Sequence, residues 1–273
     1  MTRTRKTLLW EIQNHDSSRS FLFGTMHVRD AAAFSYFEAV KPFIHEAEIY
    51  AAEMDLNQAT LEGQLEDALI PGGRTLIDFM SVKKYSKLRK ILLKSFEIDL
   101  NQFLHVHPLF TTNMIAESIL SKDHQEALDY AMWHFAEEAM KRMKGVESYA
   151  DQLKTLKKLS VEPQIKQLIA IGRNPSKIRK TTAKMAAFYR NMDIQGMYKF
   201  SKKGMGSMRK TLIYNRNHFM VKSIRNLMKE GSCFFAIGAG HLAGQQGLIR
   251  LLRINHIQVR PIALQKSNPD NPL

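Results

Sequence analysis

Two tetrapeptides of the form Gly-x-x-His stand near opposite ends of the chain, Gly24-Thr25-Met26-His27 and Gly238-Ala239-Gly240-His241. Each follows an apolar run that reads as a strand, Ser20 to Thr25 and Cys233 to Ile237, and each precedes a helical pattern. In a parallel sheet the strand-to-helix loops collect at the carboxyl edge, where open α/β folds place their sites. Glycine lets the chain turn sharply there and expose the histidine. Glu53 closes a third apolar run, Ile49 to Met54, and is expected at the same edge. Two imidazoles and a carboxylate from three strand ends, with room for water, make a donor set for a catalytic divalent metal.

The same residues have plainer readings. A histidine at a strand end is often a hydrogen-bonded structural group; two of them in matching contexts favour a shared functional role. Glu53 also reads as a cap for the next segment, a role that Asp55 fills better. Glu147 reads equally as an exposed carboxylate, and Arg216 as half of a surface ion pair worth ~1 kcal/mol or less. His105 and His107 alternate beside Pro108 with no acidic residue near in sequence. His45, His124, His134, His218 and His256 read as solvated. The 15 methionines read as helix filler, and Cys233, on a buried strand, as an inert small hydrophobe.

The elements that position these groups are legible in outline. Leu8 to Ile12 and Ser20 to Thr25 flank a turn-rich stretch, which predicts a hairpin. Phe34, Phe37, Val40 and Ile44 predict a helix that kinks or restarts at Pro42, followed by the strand Ile49 to Met54 in parallel βαβ order. From about residue 58 to 230 the texture becomes helical, six to eight helices, with Val82 to Phe96, Glu126 to Lys144 and Lys210 to Lys229 as examples. Strand texture returns at Cys233 to Ile237 and Ile257 to Ile262. The expected fold is α/β (α+β), a small mixed sheet built from both chain ends. Residues 1–58 plus 231–273 form its core, and 59–230 a large helical insertion within one integrated domain.

With 273 residues, 44% hydrophobic and 24% charged, the chain has the balance of a globular protein. No apolar stretch approaches the roughly 18–20 residues of a membrane span. The N-terminus lacks a secretory h-region, so a cytoplasmic location is expected. One cysteine excludes a disulfide framework or a multi-cysteine metal site. The net charge of +14 is uneven: residues 1–80 carry 7 Lys/Arg against 12 Asp/Glu, and residues 81–230 carry 29 against 13. The lysines of the basic middle (Lys83, Lys87, Lys90, Lys94) lack interleaved aromatic platforms, which argues for a solvated helix face and against nucleic acid.

The segments LLWEI, SFLFGTMHVRD, AEIYAAEMDL and FFAIGAGHLAGQQGLIRLLR resemble the TraB/GumN family, which includes the Tiki-type metalloproteases. More distantly the chain is similar to the erythromycin-esterase/ChaN-like superfamily. The resemblance extends over nearly the whole chain and implies that His27, His241 and Glu53 belong to a metal-dependent site. In the middle, Ala127-Leu128-Asp129 stands where that family has Gly-Leu-Asp. Gly145-Val146-Glu147-Ser148, with Gln152, stands for Gly-Leu-Glu-Thr and Gln. Tyr214-Asn215-Arg216-Asn217 resembles its acidic-Arg-Asn motif, with Asn215 in place of the carboxylate. The implied function is a metal-dependent hydrolase of amide or peptide bonds, using manganese, cobalt or zinc on a peptide or small-molecule substrate. Glu53 or Glu147 would be the base, with the other completing the ligand set, and Arg216 would steady an oxyanion or a substrate carboxylate. The alternative is a non-catalytic peptide-, haem- or small-molecule-binding protein of the same fold.

Overall fold

The computed structural model describes residues 6–13, 18–58, 68–206 and 208–266. Six strands form one mixed sheet: β1 (Leu9–Gln13), β2 (Ser20–Thr25), β3 (Ile49–Met54), β4 (Arg142–Glu147), β5 (Cys233–Gly238) and β6 (Gln258–Ile262). Their order across the sheet is β4-β3-β5-β2-β1-β6. The four strands from β4 to β2 pair in parallel, and β1 runs antiparallel to both β2 and β6. The β1–β2 hairpin pairs Leu9 with Phe23 and Ile12 with Ser20, while turn residues 14–17 lie outside the described residues. β2 and β3 run in the same direction, as the βαβ reading expects, and β5 lies between them.

The central strands are near-continuous apolar runs because parallel strands are covered on both faces. Phe21, Leu22, Phe23, Tyr50, Phe234 and Phe235 are fully buried. Tyr50 stacks on Phe234 with centroids 5.8 Å apart and meets Trp133 edge-on at 6.0 Å.

Helices α1 (Ala31–Phe34) and α2 (Phe37–Glu46) follow β2. Asp30 caps α1 by accepting from the amide of Ala32 at 2.8 Å. The break between the helices falls at Ser35–Tyr36, and Pro42 is carried inside α2, where the sequence reading expected the kink or restart. The remaining α-helices among the described residues are α3 (Val82–Phe96), α4 (Pro108–Ile119), α5 (Leu128–Glu138), α6 (Tyr149–Lys157), α7 (Val161–Arg173), α8 (Pro175–Arg190), α9 (Ile194–Met205), α10 (Arg216–Leu227) and α11 (Leu248–Ile254). Two helical readings change. The stretch from Glu126 to Lys144 is not one helix, since α5 ends at Glu138 and β4 begins at Arg142. The segment Lys210–Asn215 is wound as a π-helix that runs into α10.

The chain divides into two compact units. One comprises Met1–Gln58, Lys122–Gln152 and Met185–Leu273, and it contains the whole sheet. Residues 122–152 group with the chain ends because β4 hydrogen-bonds to β3. The other, Ala59–Ser121 and Leu153–Lys184, has a core of its own that includes Leu76, Leu88, Leu92, Leu100, Ile115, Ile165 and Leu168. On α3, Tyr85, Leu88, Leu92 and Phe96 are buried while Lys83, Lys87, Lys90 and Lys94 are exposed, the solvated basic face that its period expects.

Candidate functional site at the carboxyl edge of the sheet

The parallel strands bring four ends into one row. β4 ends in Glu147, β3 carries Glu53 beside its last residue, β5 leads through Gly238 into the turn Ala239–His241, and β2 leads to His27. Cα pairing sets Met54 against Glu147 and Thr25 against Gly238, so neighbouring strand ends are level.

Arg216, the first residue of α10, joins the two carboxylates. Its Nε donates to both oxygens of Glu147, at 3.2 and 2.9 Å, and its Nη2 donates to Glu147 and to Glu53. Gly238 N donates to Glu53 Oε2 at 3.2 Å. Glu147 is 4% exposed, not the solvent-facing carboxylate of the plainer reading, and the Arg216 side chain is equally far from a surface ion pair. Burial works against charge on Glu53, but neighbouring His241, Arg216 and the Gly238 amide outweigh it and hold the carboxyl at about 2. For Glu147 burial wins, and its pKa is raised despite Arg216. Burial opposes the Arg216 charge as well, yet the two carboxylates raise its pKa further above the ordinary range.

His241 is buried, whereas the glycine-turn reading expected it exposed. Its Nδ1 lies 2.5 Å from Oδ1 of Asn217, itself fully buried. The Asn217 amide is fixed, because its Nδ2 donates to the carbonyls of His241 (3.0 Å) and Gln246 (2.6 Å). Oδ1 is therefore the acceptor, Nδ1 carries the imidazole proton, and the lone pair sits on Nε2. That Nε2 is 3.9 Å from Glu53 Oε1. Desolvation lowers the His241 pKa to about 4 against the pull of Glu53, so the ring is neutral at neutral pH.

His27 lies in the exposed loop after β2, with its Nδ1 2.7 and 2.9 Å from the two oxygens of Asp129. Asp129 sits in the first turn of α5, and the amide of Leu128 bonds to the carbonyl of Val28, tying that helix to the loop. Both Gly-x-x-His histidines are thus oriented through Nδ1 by an acceptor from a helix, the arrangement that ligating histidines show around bound metals.

The structure brings together His241, Glu53, Glu147 and Arg216, and sets His27 with Asp129. The sequence reading gave Asn217 no role of its own. A signal existed: Asn217, Met220, Val221 and Ile224 share the buried stripe of α10, and an amide on an apolar stripe needs a partner.

The sequence model of the TraB/PrgY/gumN family matches residues 8–261. The chain belongs to the TraB/PrgY/gumN family. Neither a search of curated proteins nor one of solved structures found a match. The matched span of this TraB/PrgY/gumN chain contains every residue of the site, from His27 to His241. Among the described residues no three His, Cys, Asp or Glu side chains are gathered into one metal cage. The donors fit a divalent ion in type and tautomer: His241 Nε2 stands beside the ionised Glu53, and His27 belongs to the loop after the adjoining strand. Among the described residues no helix is long and apolar enough to cross a membrane.

Proposed function

We propose that this family member is a metal-dependent hydrolase of amide or peptide bonds, with His27, His241 and Glu53 as metal ligands. The observation that carries the reading is the anchoring of both histidines through Nδ1, by Asn217 and by Asp129, which presents Nε2 as the donor nitrogen in each. A divalent ion held there, manganese, cobalt or zinc, would polarise a scissile carbonyl and acidify a water molecule. Glu53 is assigned as ligand because it, and not Glu147, stands beside His241 Nε2. Glu147 is assigned as the proton carrier, since its raised pKa beside the depressed one of Glu53 splits two carboxylates into two roles. Arg216 holds both carboxylates in place and offers positive charge to a developing oxyanion.

Metal content and turnover on a peptide library test this reading. His241→Ala and His27→Ala are expected to lose both. Glu147→Gln is expected to keep metal and lose roughly 10²- to 10⁴-fold in rate, the range of a general base. A wild-type chain that binds no divalent ion by calorimetry and cleaves nothing would overturn it. One observation favours the alternative, a non-catalytic binding protein: Arg216 already pairs with both carboxylates of the site.

A further inference from the structure

Arg209 lies seven residues before Arg216 and is 3% exposed. Its guanidinium carbon is 4.4 Å from the ring centre of Tyr198 and 5.6 Å from that of Tyr214. Nη1 donates to Ser201 Oγ at 3.1 Å, while Nε and Nη2 are buried and find no acceptor among the described residues. A guanidinium does not shed its proton in a protein, so the charge stays. Stacking on tyrosine offsets part of the cost of burying it, and an unpaired buried cation remains expensive.

Nε and Nη2 form one edge of the guanidinium fork, the edge that takes a carboxylate through two parallel hydrogen bonds. Arg216 uses those same two nitrogens on Glu147. Arg209 offers the identical edge, and among the described residues no carboxylate meets it. Tyr198 also connects Arg209 with the second Gly-x-x-His loop. Its ring presses on Gly244, three residues past His241, where an added Cβ would lie 2.1 Å from the ring and φ is +95°.

We propose that the Nε/Nη2 edge of Arg209 is a carboxylate-binding subsite, filled by a carboxylate of the ligand that occupies the neighbouring site. Its identification as a substrate subsite rests on the hydrolase reading; the anion binding does not. Pairing with that carboxylate removes the cost of the lone buried charge.

The test is thermal denaturation of the full chain in chelator, titrated with acetate against chloride at constant ionic strength. The wild type is expected to gain midpoint temperature saturably with acetate, since a ligand that binds only the folded state stabilises it. Arg209→Met is expected to lose the response. Arg209→Lys, which keeps the charge without the fork, is expected to bind acetate at least tenfold more weakly, and it carries the test if the methionine variant does not fold. A wild type indifferent to acetate, or variants that respond as the wild type does, would overturn the subsite. No metal enters the measurement: a missing acetate response leaves the metal assay of His27 and His241 to stand alone, and the reverse holds.

Discussion

A buried neutral histidine makes stability depend on pH in a defined direction. In the unfolded chain His241 takes a proton near 6.5. In the folded protein desolvation delays that to about 4. Below 6.5 the unfolded state therefore binds more protons, and stability falls as pH drops toward 4, then levels. In chelator-treated protein the thermal midpoint should fall across that window, and His241→Gln should flatten the fall; equal slopes would show that the ring titrates freely. Arg216 governs a second balance. Arg216→Met leaves buried Glu147 and half-buried Glu53 without their shared counter-charge and should cost about 3–5 kcal/mol in urea denaturation. Adding Glu147→Gln should recover part of that, because only one carboxylate then needs a counter-charge. The acidic and histidine members of this group were visible in the sequence through strand context and motif resemblance. Asn217 was not, because its partners lie 24 and 29 positions away in the chain. Burial was equally hidden: nothing local distinguishes Glu147, 4% exposed, from a carboxylate on an open loop.

At the level of elements, the strand that escaped the sequence reading is the one that delivers Glu147. Arg142–Glu147 is an edge strand whose Arg142 and Lys144 are exposed, and Lys, Arg and Met are good helix formers, so its composition continues α5 on paper. The helix ends instead at Glu138, and the chain turns through Met140, where φ is +57°. The apolar central strands had no such ambiguity, and Val82–Phe96 matched its periodicity end to end. Gly145 permits the close approach of β4 to β3: a Cβ there would lie 2.5 Å from the amide nitrogen of Asp55 and 2.8 Å from the carbonyl oxygen of Glu147. Both obstacles are backbone. Gly145→Ala should cost about 1–3 kcal/mol, as overpacking does, and should speed amide exchange in residues 49–55 and 142–147. Wild-type stability and exchange would mean the two strand ends have slack to separate.

On the scale of the molecule, two cores imply two places where a cavity is felt. Leu92 is fully buried in the helical unit. Leu92→Ala should cost about 2–5 kcal/mol, with faster amide exchange in Val82–Phe96 and Val161–Arg173 and little change in β2 and β5. A uniform rise across the sheet would show that the cores open together. The sheet itself has a consequence for the order in which the protein is made. β5 joins β2 to β3, yet it is the last strand but one in the chain. Until Cys233–Gly238 leaves the ribosome, β1–β2 and β3–β4 have no strand to connect them. Contacts so distant in sequence close slowly and leave apolar edges exposed meanwhile. A message that stops before codon 233 would release two half-sheets, with β2 and β3 each showing a bare edge to any neighbouring chain.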